Sequence, residues 1–162
     1  MPSATTSTTA ATPTAGSVRI DRHYRAAPEK VWRAWTDPEA LSRWFGPGDG
    51  PSLVTADLDV REGGRFVLAF KTPDGETQQA SGVYQTVQPE RRLVFSWAWK
   101  GTPERVSRIT ISLTPADTGG TDLSFVHDRF FDDTSRANHE RGWQLFFLNL
   151  DRFVQSPQEA AA

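Results

Sequence analysis

Apolar side chains recur at every second position through most of the stretch from Leu53 to His127. They recur every third or fourth position near residues 28–45 and again beyond residue 135. The first spacing is that of strands with one covered face, and the second that of amphipathic helices. "VRIDRHY" opens the ordered region near Val18 and reads as a strand with Val18, Ile20 and Tyr24 on one face. Arg22 falls on that same face, unusual for a charge. In "APEKVWRAWTD" Pro28 suits a first helical turn, Glu29 suits a helix N-terminus, and Val31, Trp32 and Trp35 form a stripe. Asp37-Pro38 ends this helix and starts a second, with Asp37 as the expected cap and Leu41, Trp44 and Phe45 as its apolar side. "GPGDGP" then imposes a loop.

Six further strands follow. "SLVTADLDV" predicts Val54, Ala56, Leu58 and Val60 on one side, and "GRFVLAFKT" predicts Phe66, Leu68 and Phe70. "QQASGVYQTVQP" carries Gly82, a bulge or a point of close backbone approach. "RRLVFSWAWK" aligns Leu93, Phe95, Trp97 and Trp99, "ERVSRITISLTP" aligns Ile109, Ile111 and Leu113, and "GTDLSFVHDRF" aligns Leu123, Phe125 and His127. The opposite faces hold Val94, Ser96, Ala98, Arg108, Thr110, Ser112, Asp122 and Ser124. One face is bulky and aromatic and the other small or polar, which predicts an antiparallel sheet covered on one side and wet on the other.

From about Ser135 to Val154, Trp143, Phe146, Phe147, Leu150, Phe153 and Val154 share one helical face. Asp132, Asp133 and Thr134 stand before it, as capping and the helix dipole favour. Gly142 interrupts the apolar face at a cost of about 1 kcal/mol against Ala, so it admits a close sheet contact or keeps space for something else. Asn138 lies one turn earlier on that face. The order strand, helix pair, six strands, long helix predicts an α+β fold. In it a curved antiparallel sheet of about seven strands wraps around a long C-terminal helix, with two short helices after the first strand. Bulky rings on both layers predict a mostly apolar cavity between helix and sheet.

Composition narrows the function. The 162 residues contain six Trp and ten Phe against two Tyr, and no Cys. A single domain over residues 18–155 is expected, between disordered tails at 1–17 and 156–162. Without Cys there is no disulfide, thiolate metal site or cysteine nucleophile. A net charge of −2 with no Lys/Arg stripe argues against nucleic acid. The Ser/Thr/Ala/Pro-rich start does not read as a signal peptide, no apolar run approaches membrane-spanning length, and a cytoplasmic protein is expected.

"HDRFFDDTSRANHERGW", residues 127–143, concentrates titratable groups. His127 and His139 lack a local metal-ligand spacing, so no metal or other cofactor is expected. His127 points inward and could act as a general acid or base, or simply donate to a carbonyl at the sheet–helix corner. Arg22 could hold an anionic ligand group, or pair with Asp59 or Glu62 at the sheet edge. His139 is a packed rim residue or a polar residue at a cavity mouth. No activated nucleophile is visible, and no residue is assigned as catalytic.

"APEKVWRAWTDPEALSRWFGP", "DVREGGRF", "GVYQTVQPERRLVFSW" and the final "H…HERGW", in this order, resemble bacterial homologues of the activator of heat-shock protein 90 ATPase, C-terminal-domain type, in the START-like, helix-grip superfamily also called SRPBCC. The resemblance runs from about residue 18 to 154 and implies the helix-grip fold. The superfamily includes lipid carriers, polyketide cyclases and aromatases, antibiotic-resistance proteins and co-chaperones. The first functional expectation is binding of a small apolar or aromatic molecule between the sheet and the last helix. The residues expected to line that cavity are Trp44, Phe66, Phe70, Trp97, Trp99, Phe125, His127, Gly142, Trp143 and Phe146, with His127 and Arg22 orienting the ligand's polar groups. The alternatives are a co-chaperone with a chaperone partner, and a cyclase, aromatase or hydrolase using His127. The eukaryotic activators carry a separate N-terminal domain, which this stretch does not match and which counts against direct ATPase activation. Leu145 and Leu148 project from the helix away from the sheet, so a monomer or weak homodimer is expected.

Overall fold

A computed structural model describes residues 16–48 and 52–155; the expected tails at residues 1–15 and 156–162, and the end of the Gly/Pro loop at residues 49–51, lie outside them. The chain forms strand β1 (Val18–Tyr24), helices α1 (Pro28–Thr36) and α2 (Pro38–Trp44), and strands β2 (Leu53–Leu58), β3 (Arg65–Lys71), β4 (Thr77–Gln88), β5 (Arg92–Trp99), β6 (Ser107–Pro115) and β7 (Thr121–Asp128). Helix α3 (Asp133–Val154) follows. Every pairing is antiparallel, in the order β1-β7-β6-β5-β4-β3-β2. The six later strands form a meander, and β1 adds to its β7 edge. Register shifts between Leu53 and Thr55 and between Tyr84 and Thr86 interrupt the ladders, and such bulges bend a sheet. The result is the expected α+β helix-grip arrangement, with α3 packed across the inner face and against α1 and α2.

Alternation places the inward rings. Phe66, Leu68, Phe70, Leu93, Phe95, Trp97, Ile109, Ile111, Leu113, Leu123, Phe125 and His127 are all buried, and each large apolar side chain so buried contributes about 1.5–3 kcal/mol. Gly82 is a point of close approach, because a Cβ there would meet the Ser96 carbonyl oxygen at 1.9 Å. Asp132 caps α3 by accepting from the Ser135 backbone N–H at 2.8 Å.

Three local expectations are corrected. The irregularity at the start of β2 turns Val54 outward, 58% exposed, and lets Leu53 join Ala56, Leu58 and Val60 against the core. Asp37 occupies the cap position of α2, but its carboxylate accepts from Arg33 Nε at 3.1 Å instead of capping. Val94, on the outer face between Thr86 and Thr110 in the ladder, is buried, so that face is not uniformly wet.

Candidate functional site

The sheet–helix interface is solid over most of its length. Phe125 meets Trp143 and Phe147 with ring centroids 4.7 and 5.2 Å apart, Trp35 meets Trp44 at 4.8 Å, and Phe45 meets Phe146 at 4.8 Å. The central rings enclose a void of only about 20 Å³. The predicted cavity is therefore confined to one end. Where the first half of α3 passes the β5–β6 corner, the layers diverge into a groove of about 620 Å³. Phe70, Trp97, Trp99, Gly142, Trp143 and Phe146, all expected as lining, border it, joined by Arg105, Phe130, Phe131, Asn138 and His139.

The other expected residues lie elsewhere. Trp44 is in the solid core, its indole N–H donated to the Ala34 carbonyl at 2.8 Å. Phe66 packs between Tyr84 and Phe95, and Phe125 is fully buried under α3. Arg22 is inward but at the far end of α3, where its Nε donates to both Asp151 oxygens at 3.2 Å and its guanidinium lies 5.4 Å from the Phe147 centroid. Its partner is neither Asp59 nor Glu62. Tyr24 Oη donates to the same carboxylate at 2.6 Å, and burial, then this bond, pushes the phenol pKa far up.

His127 is fully buried beneath the groove wall. Trp143 Nε1–H donates to His127 Nδ1 at 3.0 Å, and Ser107 Oγ lies 2.7 Å from His127 Nε2. An indole nitrogen only donates, so Nδ1 is the acceptor and Nε2 carries the proton. Ser107 accepts that proton and donates its own to the Trp97 carbonyl at 3.0 Å. Burial, and secondarily His139, holds the His127 pKa well below the usual histidine value. Both ring nitrogens are engaged and shielded from solvent, an arrangement that offers no proton-transfer atom to a substrate. The cyclase or hydrolase use of His127 therefore has no geometric support.

His139 repeats the pattern with the opposite tautomer. Trp99 Nε1–H donates to His139 Nε2 at 2.8 Å, and His139 Nδ1 donates to the Ser135 carbonyl at 2.7 Å. Burial lowers its pKa, and the bond to Ser135 opposes that. The β7–α3 turn passes through Arg129 in the left-handed conformation, φ 67°. Phe130 packs against both imidazoles, at 4.4 and 5.0 Å. All four imidazole nitrogens are spent on protein partners, and no group of three or more His, Cys, Asp or Glu among the described residues could hold a metal. Trp97, like Trp35 deeper in the core, differs from Trp99 and Trp143 in that its indole N–H is buried without a partner among the described residues.

Sequence reasoning missed Arg105, Phe130 and Phe131 as groove residues. Arg105 lies between β5 and β6, where no periodicity marks a direction. The doublet Phe130-Phe131, just before the cap of α3, was the available signal.

Comparison with known proteins places this geometry. Residues 25–155 match the family model described as activator of Hsp90 ATPase homolog 1-like protein. The human activator of 90 kDa heat shock protein ATPase homolog 1 is 24% identical over 131 residues, 81% of this chain and 34% of the human protein, so the chain spans about a third of that relative's length. Among solved structures, a Nitrosomonas europaea protein aligns at TM-score 0.74 with 25% identity, covering 90% of this chain and 97% of the other. A Chromobacterium violaceum protein aligns at 0.72 with 28% identity over 86% and 98%. CalU16 from Micromonospora echinospora aligns at 0.67 with 30% identity over 90% and 79%. With a family match over most of its length on a START-like helix-grip sheet, the chain belongs to the family of activator of Hsp90 ATPase homolog 1-like proteins.

Proposed function

We propose that the protein binds a small, apolar, aromatic molecule in the groove beside the first half of α3. One observation carries this reading: Gly142, in mid-helix at a position where Gly costs about 1 kcal/mol, borders the groove, and a Cβ built there meets nothing within 4 Å. Packing against the sheet does not require it, and the space above it remains open between rings. The volume suits a small organic ligand, and Phe70, Trp97, Trp99, Trp143 and Phe146 supply aromatic walls. With three indoles on those walls, a bound aromatic ligand quenches tryptophan fluorescence. At a hundredfold excess over Kd it adds about 2.7 kcal/mol to stability. A panel of aromatic and fatty ligands that moves neither fluorescence nor Tm of the folded protein overturns the proposal.

The family relationship favours a second reading, contact with a chaperone. It draws on the 24% likeness to the human activator, which extends over 34% of that protein. Co-purification with the cognate 90 kDa chaperone and a change in its ATPase rate would support it; neither effect at micromolar protein would remove it.

A further inference from the structure

The groove is chemically lopsided. At its inner end the Trp99 and Trp143 N–H donors are already given to His139 and His127, so these two walls offer a ligand ring faces, and the unpartnered Trp97 N–H beside them is buried. The two imidazoles are uncharged, fixed as neutral tautomers by the same bonds. At the mouth the balance reverses. Among the described residues that border the groove, Arg105 is the one cation. Its guanidinium lies over the Phe131 ring, 3.9 Å from the centroid, and its backbone N–H closes the loop onto the Thr102 carbonyl at 3.0 Å. Stacking on an aromatic face holds a guanidinium plane while leaving its N–H edge available. Its other partner among the described residues is Glu104, in a loose ion pair at 3.9 Å with both groups exposed. The acid at the same mouth, Asp132, has an oxygen committed to capping α3. Phe131, 60% exposed, is a large apolar ring left at the rim, and its role is explained if it supports the arginine.

We infer that the groove selects planar aromatic anions, the ring system seated over Gly142 against Trp99 and Trp143 and the anionic group held by Arg105 on its Phe131 platform. The inference rests on the binding reading above and adds the charge of the ligand and the residue that reads it. A guanidinium oriented before the ligand arrives loses little freedom on forming a bidentate contact. Because Arg105 is half-exposed, its contribution is set at the low end for a charge-assisted bond, about tenfold in affinity.

Two fluorescent probes that differ by one sulfonate separate the two ideas: anilinonaphthalene sulfonate and its neutral analogue N-phenylnaphthylamine. Each is titrated into the wild-type chain, R105Q and G142L, with circular dichroism confirming that every variant is folded. The expected result is that wild type binds the sulfonate about tenfold more tightly than the neutral probe. R105Q should erase that preference by weakening the sulfonate alone, and G142L should weaken both. Equal affinities in wild type, or equal losses of both probes in R105Q, overturn the role of Arg105 while leaving aromatic binding in place. Failure of the folded wild type to bind either probe, or binding of both that G142L leaves unchanged, overturns the groove as a ligand site and the inference with it.

Discussion

The indole of Trp143 and the imidazole of His127 are joined by a 3.0 Å hydrogen bond in which the direction of donation is fixed by chemistry. That bond locates a proton on His127 Nε2 and, through Ser107, ties α3 to β6 and to the Trp97 carbonyl of β5. A residue that in isolation reads as an acid–base catalyst becomes a neutral cross-brace. The same logic at Trp99 and His139 braces the groove wall one turn earlier on α3. The imidazole nitrogens and the Trp99 and Trp143 N–H groups are thus used to hold geometry, which leaves ring faces as the inner walls of the groove.

The braces make stability sensitive to acid. Both histidines have pKa values lowered from 6.5 in the folded chain, so below about pH 6.5 the unfolded chain takes up protons that the folded one refuses. Their stabilising contribution is complete above that pH and is lost as pH falls toward the folded values, at up to about 1.4 kcal/mol per pH unit for each group. Urea unfolding should give a free energy about 2 kcal/mol lower at pH about 5 than at about 7.5, and H139Q should shrink the difference. A flat profile across this interval would mean that the folded chain takes up protons at these histidines as readily as the unfolded one, and that neither imidazole is held neutral by its bonds.

Ser107 is small, but its hydroxyl is the only link between His127 Nε2–H and the Trp97 carbonyl among the described contacts. S107A leaves the buried His127 Nε2–H without its acceptor and takes one donor from the Trp97 carbonyl, and should cost about 1–3 kcal/mol. S124A, on the outer face of β7, removes a hydroxyl with no such partners and should stay within about 0.5 kcal/mol. Denaturant midpoints of the two variants check this directly. Similar small effects in both would show that the brace carries little energy.

Much of the fold is legible in the chain because period-two rings from Phe66 to Phe125 and the period-3.6 face from Trp143 to Val154 are each set by one local constraint, burial of a single face. The site is less legible, since it depends on which rings mesh and which do not. Phe66, Phe125 and Trp143 carry the same alternation or helical signal, yet only Trp143 reaches the groove. Nothing local marks Arg105 as a groove residue, because a loop side chain has no periodicity to orient it. Alternation places Arg22 on the inward face, but its carboxylate, Asp151, is 129 positions away and is brought beside it only by the adjacency of β1 and the end of α3. Of the two acids offered as its partner, Asp59 instead pairs with Arg61 and Glu62 accepts from the Val87 backbone N–H at 3.2 Å.

Asp151 is the hub of a separate brace, at the opposite end of α3 from the groove. It accepts from Arg22, which is partly exposed, and from Tyr24, which is 1% exposed. D151A strands the buried Tyr24 hydroxyl and should lose about 2–3 kcal/mol. R22Q removes a partly screened ion pair and should lose about 1 kcal/mol or less. The ordering is the test: if R22Q proves the costlier change, the carboxylate serves the arginine and not the phenol. Because this cluster is remote from the groove, both variants should keep wild-type affinity for an aromatic probe.

Gly142 permits the sharpest opposition between stability and function. Its backbone is helical and a Cβ there meets open space, so G142A should stabilise the chain by about 0.5–1 kcal/mol through helix propensity. At this size that corresponds to a Tm rise of about 1–4 °C. The added methyl group also enters the groove where the ligand ring is proposed to lie, so the same substitution should weaken aromatic binding severalfold, and G142L more strongly. Gain in Tm with loss of affinity is the signature of a glycine kept for the ligand's sake. A rise in Tm with affinity untouched would mean that the ligand does not reach α3, and a fall in Tm would mean that the space above Gly142 closes in solution.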